Sequence, residues 1–101
     1  MRTLLTITFP VEPFNKLVRD GTVSEKMSNI LETIKPEIVY FTERHGQRTA
    51  LVVADLADAS RIPVLAEPWF LTFNAEVEIG VVMTPEDLRR AGLETLGKKW
   101  V

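Results

Sequence analysis

The segment Gln47–Asp55 restricts the possible folds more than any other part of the chain, because it is apolar on both sides of a predicted strand. Side chains of a strand alternate between its two faces, so neighbours in the sequence point in opposite directions. One face carries Ala50, Val52 and Ala54, and the other carries Leu51 and Val53. Both faces need a cover, so the segment predicts a sheet that is packed on two sides.

Three further strands, and the helices between them, follow from the same kind of periodicity. The other predicted strands are Thr3–Phe9, Glu37–Glu43 and Glu76–Met83. Apolar residues at helical spacing predict one helical segment after the first strand, another after Gln47–Asp55 and a C-terminal helix. The order β-α-β-β-α-β plus a C-terminal helix is the ferredoxin-like plan of an α+β domain. Right-handed crossovers then predict an antiparallel sheet in the order 4-1-3-2, with both main helices on one face.

Glycine and proline residues are expected to interrupt the helical segments. Gly21 predicts a break in the first segment, because glycine readily adopts the left-handed conformation that follows a helix end. Thr22 and Glu25 then predict a capping box at the start of a second helical piece. Pro63 and Pro68 predict that the helix before the last strand is short or irregular.

The predicted helices can cover only one face of this sheet. At 101 residues the chain has the length of a single domain, 1–101, so no second domain is expected to cover the other face. The same face of a second copy is the simplest cover, and burial would stabilise the pair by about 25 cal/mol per Å² of apolar surface. The sequence therefore predicts a homodimer. The alternative is that the C-terminal segment, with Leu93, Leu96 and Trp100, folds over this face.

Composition argues against several classes of function. Twelve basic and fourteen acidic residues give a formal charge of −2, without the basic excess that nucleic-acid binding needs. The absence of cysteine and the single histidine exclude disulfides, thiol catalysis and Cys- or His-rich metal sites within one chain. No phosphate-binding loop, dinucleotide fingerprint or nucleophile elbow occurs, so we expect no cofactor. Neither a signal peptide nor an apolar run of roughly 20 residues is recognisable, which predicts a cytoplasmic protein that does not bind membranes.

A predicted hairpin turn, Arg44-His45-Gly46, contains the only histidine of the chain. His45 is the side chain expected to titrate near neutral pH, so it is a candidate acid or base. With Arg44, Arg48 and the adjacent Glu43 it could also form an anion-binding rim. The alternative is a solvated hairpin tip, in which these residue types are common.

Three polar residues on predicted strands are further candidates. Tyr40 is the only tyrosine, and its ring could enter a cavity between two sheets and offer its hydroxyl to a ligand. The alternative is a core or interface aromatic residue whose hydroxyl binds any nearby partner. Glu76 and Glu78 lie two residues apart and so share one face of the last strand. If this face lines a cavity, the two carboxylates would bind protons more tightly and could supply a general base. If it faces solvent, they are edge charges that discourage aggregation.

The run Glu67-Pro68-Trp69-Phe70 places a carboxylate beside two large aromatic side chains. Glu67 and Trp69 are therefore candidates for the wall of a binding pocket. Aromatic residues near the end of an amphipathic helix are also typical of a hydrophobic core, and that alternative stays open.

Two stretches of the sequence resemble small uncharacterised bacterial proteins of the dimeric α/β-barrel superfamily. They are 60–70, which reads SRIPVLAEPWF, and 82–88, which reads VMTPEDL. Over the rest of the chain the resemblance is one of layout. It implies two ferredoxin-like sheets that enclose a small cavity. The wider superfamily includes muconolactone isomerase, cofactor-free antibiotic-biosynthesis monooxygenases and effector-binding domains, but none of their catalytic motifs can be placed on this sequence.

Three functions are compatible with these predictions. The first is a homodimer that binds a small, largely apolar organic molecule between its sheets. The second is a cofactor-free enzyme of the isomerase or monooxygenase type, acting on a small aromatic or cyclic compound. The third is a structural or interaction domain whose dimer interface is filled by side chains. Since likeness of fold is weak evidence of function, the sequence does not decide among them.

Overall fold

The computed structural model describes residues 1–101. The strands are β1 (Arg2–Thr8), β2 (Ile38–Arg44), β3 (Gln47–Asp55) and β4 (Glu76–Val81). The helices are α1 (Val11–Arg19), α2 (Val23–Ile34), α3 (Ile62–Phe73), α4 (Pro85–Arg90) and α5 (Leu93–Lys99). A short 3₁₀ turn, Ala59–Arg61, precedes α3.

The four strands form one antiparallel sheet in the order β2-β3-β1-β4. Counted from the β4 edge, this is the order 4-1-3-2 that the sequence predicts. Strand β1 lies in the centre, where Leu5 is opposite Val52 on one side and Ile79 on the other. The α+β class and the four-stranded antiparallel sheet are confirmed.

The hydrophobic core lies between this sheet and the helices α1, α2 and α3. Its centre is aromatic: the ring centroids of Phe9 and Phe73 are 5.0 Å apart, and the Trp69 ring stacks on Phe73 at 6.3 Å. Burial of these rings and of the aliphatic side chains around them supplies most of the driving force for folding. The aliphatic core consists of Leu5, Ile7, Leu17, Ile30, Ile34, Ala50, Val52, Ala54, Leu56, Leu65 and Ala75.

The connection between α1 and α2 agrees with the sequence at one residue and differs at the next. Gly21 has the predicted left-handed conformation, with φ of +77°. The predicted capping box of Thr22 and Glu25 is wrong, because the Thr22 side chain accepts no amide hydrogen bond of α2. Its backbone is in the helical region rather than the extended one that a capping residue normally needs. The Thr22 hydroxyl instead donates to Asp20 Oδ1 at 2.5 Å.

Helix α3 is longer than its prolines suggest. It runs without interruption for 12 residues, so the prediction of a short or irregular helix is wrong. Pro63 lies in the first turn, where no amide is needed. Pro68 leaves only the carbonyl of Val64 without its usual helical donor. The helix continues past this one missing hydrogen bond, and Val64 itself is half-buried.

The two long helices both end on a residue other than glycine in the left-handed region. Lys35 follows α2 with φ of +47°, and Asn74 follows α3 with φ of +56°. In each case the amide of this residue donates back to the last turn, to the carbonyl of Leu31 or of Phe70. These bonds satisfy helix-end carbonyls that would otherwise have no partner.

The segment Val82–Val101, which we call the C-terminal arm, contains α4 and α5 and leaves the body of the molecule. The sequence predicts a last helix that Gly92 ends or bends, and in the structure Gly92, with φ of +72°, separates α4 from α5. No residue after Ala75 is fully buried, and neither helix makes an extensive contact with the sheet or with α1–α3. The molecule is therefore 59 Å long, with a radius of gyration of 17.0 Å. A compact domain of this length has a radius of gyration of about 13 Å.

Because the arm leaves the body, it does not cover the second face of its own sheet. Its apolar side chains stay in solvent: Leu93, Leu96 and Trp100 are 53%, 45% and 75% exposed. No helix of the molecule is both long enough and apolar enough to cross a membrane.

Candidate functional site

The face of the sheet that points away from the helices carries no cover within the chain. We call it the open sheet face. Residues opposite each other in antiparallel strands share a face, so the pairing of the strands defines its rows. The central row runs from β2 to β4 through Tyr40, Leu51, Thr6 and Glu78. The next row consists of Ile38, Val53, Leu4 and Gly80.

The two middle strands contribute mainly apolar side chains to these rows, and Thr6 is the exception. Leu4, Leu51 and Val53 are half-buried by their neighbours, whereas Ile38 at the β2 edge is 45% exposed. At the β4 edge Gly80 has no side chain, and a Cβ placed there would meet no atom within 4 Å. A shallow apolar floor with free space beside Leu4 results.

Three of the predicted site residues border this floor. Tyr40 lies at the β2 edge and is 62% exposed. Glu76 and Glu78 lie at the β4 edge, are both exposed, and form no ion pair within the chain. With neighbouring strands about 4.8 Å apart, the backbones of Tyr40 and Glu78 are separated by about 14 Å. The face thus offers a hydroxyl at one side and carboxylates at the other, with an apolar surface between them.

The hairpin between β2 and β3 does not assemble the predicted anion-binding rim. His45 and Gly46 form a two-residue turn in which both residues have positive φ, +55° and +77°, and His45 is exposed at its tip. The Arg48 guanidinium lies 4.4 Å from the centre of the Phe14 ring, on the helix side of the sheet. Arg44 lies four residues after Tyr40 in the same strand and so shares its face, the open sheet face, which is opposite to the face of Arg48. Arg44 and Arg48 therefore extend from opposite faces of the sheet.

Glu67 and Trp69 do not share a pocket. Glu67 is exposed on the outer surface of α3, whereas Trp69 is fully buried in the core, stacked on Phe73. The indole Nε1 of Trp69 has no hydrogen-bond partner. Of the two interpretations of this run, the core interpretation describes Trp69.

A groove on the surface of the protein is lined by none of the residues that the sequence analysis proposes for a site. It has a volume of about 330 Å³ and is found on the helix side of the sheet, at the β2 edge. The signal that could have found it is Phe41, an aromatic residue on the helix side of a predicted edge strand, which is 58% exposed. Its lining residues are Phe14, Val23, Ser24, Met27, Ser28 and Phe41.

Three carboxyl groups have a pKa below the ordinary value, and none lies on the open sheet face. The Thr22 hydroxyl lowers the pKa of Asp20, and the Ser60 hydroxyl lowers that of Asp58. The Thr84 amide is the main cause of the lowered pKa of Asp87. Each carboxylate accepts hydrogen bonds from a turn or a helix start, so these shifts reflect local structure. No group of three or more His, Asp or Glu side chains is arranged to hold a metal ion.

Comparison with known proteins yields no relative from which a function could be transferred: no protein-family model and no curated protein matches the sequence. The resemblance of 60–70 and 82–88 to the dimeric α/β-barrel superfamily therefore stays a prediction. The open sheet face has to be interpreted from its own chemistry.

Proposed function

We propose that this is a ferredoxin-like homodimer in which the open sheet faces of two copies pack together and enclose a cavity for a small, largely apolar organic molecule. The observation that carries the proposal is the uncovered apolar floor of the sheet. Leu4, Leu51 and Val53 belong to strands in the middle of the sheet, yet the chain provides nothing to cover them. The order of the elements and the resemblance to dimeric α/β barrels support the same arrangement.

Association would remove this floor from water. Each Å² of apolar surface buried contributes about 25 cal/mol, so a few half-exposed aliphatic side chains stabilise a pair by several kcal/mol. Stacked sheets lie about 10 Å apart, a distance that large side chains from both sheets would fill. Thr6 is small and Gly80 has no side chain, so filling is incomplete in their rows. The unfilled space is the proposed cavity.

The groups around the floor define the ligand class. Aliphatic side chains favour an apolar ring or chain, and the Tyr40 hydroxyl and the Glu78 carboxylate can orient a polar substituent. Glu76 and Glu78 place negative charge at the edge, which repels anions. The expected ligand is therefore neutral or cationic, with at least one hydrogen-bond donor.

The dimer is tested by sedimentation equilibrium with a matched pair of variants. Leu51→Glu places a charge in the open sheet face, and Leu71→Glu places the same charge on α3, where Leu71 is 83% exposed. We expect the mass of a dimer for the wild type and for Leu71→Glu, and that of a single folded chain for Leu51→Glu. A wild type that sediments as one chain at micromolar concentration would contradict the proposal.

Ligand binding is tested with 2-naphthol and, as its matched control, naphthalene, which lacks the hydroxyl. We expect saturable binding of 2-naphthol to the wild type, none to Leu51→Glu, and an affinity for naphthalene that is weaker by about two- to tenfold, the effect of one net hydrogen bond. In the variants Tyr40→Phe and Glu78→Gln, the difference in affinity between 2-naphthol and naphthalene should be smaller. A dimer that binds neither compound would be a structural domain with a packed interface, and the binding part of the proposal would be wrong.

A further inference from the structure

We infer that the C-terminal arm packs on a second copy of the chain, so that exchanged arms as well as the open sheet faces hold the dimer. This inference rests on the proposed homodimer and names a second surface that the partner contacts. Three observations lead to it. The helices of the arm are short, its apolar residues lie on one side, and the open sheet face alone is smaller than a typical dimer interface.

The helices of the arm are too short to persist without packing. Helix α4 has six residues and α5 has seven, whereas isolated helices of fewer than about 12–15 residues are marginal in water. A capping box at Thr84 and the ion pairs of Arg89 with Glu86 and Arg90 with Asp87 support α4. Exposed ion pairs contribute little, and a cap adds only about 1 kcal/mol. Since the arm makes no extensive contact with its own chain and its apolar side chains are exposed, we place its packing partner in another molecule.

The apolar residues of the arm form a continuous stripe. Leu93 and Leu96 lie on one side of α5, and Trp100 follows directly after the last residue of the helix at the same spacing. Leu88 of α4, which is 43% exposed, precedes them across Gly92. The opposite side of α5 is polar and carries Glu94, Thr95 and Lys98. This division is typical of a helix that lies on a protein surface.

The area of the open sheet face alone falls short of a typical dimer interface. Four strands about 4.8 Å apart and six residues of about 3.3 Å each give a flat area of about 400 Å² per copy, or about 800 Å² for a pair. Stable interfaces bury about 1,200–2,000 Å² in total. Two short helices with a combined length of about 20 Å and a width of about 10 Å would bury about 200 Å² on each side of the contact. Two exchanged arms therefore add about 800 Å² and bring the interface into the usual range.

The position and charge of the arm favour a second copy over a lipid surface. The arm continues from β4, the edge strand that carries Glu76 and Glu78 on the open sheet face, so it starts beside the surface that a partner would cover. Between Val82 and Val101 there are three acidic and four basic residues. Attraction to anionic lipid requires a cluster of basic residues in excess, which the arm lacks.

The two tryptophans allow a test in the unmodified protein. Trp69 is fully buried and Trp100 is 75% exposed in the single chain, so the fraction of emission that acrylamide quenches reports mainly on Trp100. We expect Trp100 to be shielded at concentrations at which sedimentation gives a dimer, and the quenchable fraction to increase on dilution to single chains. A dimeric mass with Trp100 still open to acrylamide would overturn the inference and leave the open-face dimer intact.

A matched pair of substitutions tests the apolar stripe directly. Leu96→Glu lies in the stripe and Thr95→Glu introduces the same charge on the polar side of α5. We expect Leu96→Glu to raise the dimer dissociation constant at least tenfold and to expose Trp100, and Thr95→Glu to change neither. Circular dichroism checks that both variants keep the fold, which is reasonable because no core residue lies in the arm.

The remaining outcomes separate this inference from the proposed function. If Leu96→Glu dimerises as tightly as the wild type while Leu51→Glu does not dimerise, the arm inference is wrong and the open-face dimer stands. If the wild type is a single chain, both are wrong. If phosphatidylserine vesicles shield Trp100 and an increase in protein concentration does not, the arm is a lipid-binding segment and the inference is overturned.

Discussion

Two adjacent leucines of β1 have opposite surroundings. Leu5 is completely buried beneath the helices, whereas Leu4 lies half-buried on the open sheet face. The same contrast occurs in β3 between Val52, which is fully buried, and Val53, which is not. The residue types are equal within each pair, so the difference in burial within these two pairs comes from the helices that cover one face and not from hydrophobicity. One face of the sheet therefore stabilises the fold, and the other is available for association.

The largest effect is expected from Leu5→Ala. The substitution removes buried carbon atoms and leaves a cavity in a packed core, which should lower the free energy of unfolding by about 3–5 kcal/mol. Urea unfolding followed by circular dichroism measures this loss. A loss below about 1 kcal/mol would mean that the helix-covered face is not the core of the fold.

Leu4→Ala is the matched substitution on the other face, and its effect should depend on concentration. We expect a loss of about 1–2 kcal/mol where the protein is dimeric, because part of the side chain would be buried by the partner. Where the protein is diluted to single chains, most of that loss should disappear. Urea midpoints at several protein concentrations provide the measurement, and equal losses at all of them would remove the distinction between the two faces.

Thr3→Val tests a polar contact on the helix-covered face. The buried Thr3 hydroxyl donates to the carbonyl oxygen of Ala54 at 2.7 Å. Valine has nearly the same shape, so the change removes a hydrogen bond without creating a cavity, and we expect a loss of about 0.5–1.5 kcal/mol. Urea unfolding gives the value, and a more stable Thr3→Val variant would show that this bond contributes nothing.

The smallest effect is expected in the arm at acidic pH. The Thr84 amide and hydroxyl hold the pKa of Asp87 below its ordinary value. The capping contribution of Asp87 is therefore complete above the ordinary carboxyl pKa and is lost as the pH falls through the lowered one. NMR Cα shifts of 85–90 should move towards coil values over that acidic range, while the core keeps its shifts. In Asp87→Asn this pH dependence should vanish, and its persistence there would exclude Asp87 as the cause.

Alternation along the strands explains how much of the fold and the site could be predicted. It indicated β3 at its observed bounds, and it placed Glu76 and Glu78 on one face. Alternation also implies that Arg44 and Arg48 lie on opposite faces. In a hairpin with a two-residue turn, Arg44 is paired with Gln47, and Arg48 is the next residue along the strand. The lateral row that joins Tyr40 to Glu78 depends on the register of three strand pairs, which no local pattern reveals.

Helices were harder to predict, because their ends depend on the surrounding structure. Pro68 removes a single backbone donor, and the buried side chains of α3, such as Trp69 and Phe73, keep the helix intact despite the low helix propensity of proline. Thr22 has the residue type of a cap but a helical backbone, and its hydroxyl binds Asp20 instead. The apolar stripe of Leu93, Leu96 and Trp100 is the same whether its partner is the parent sheet or another molecule. The sequence therefore could not show that the arm leaves the body.

The left-handed residues after α2 and α3 have a consequence for engineering. A side chain in that conformation costs about 1–2 kcal/mol relative to glycine, although glycine also gains freedom in the unfolded chain. Asparagine tolerates the geometry better than lysine does, so Lys35→Gly should raise the thermal midpoint more than Asn74→Gly. Since both positions lie at helix ends, the tolerance of the protein to heat can be tuned there without changing the residues of the open sheet face or of the arm.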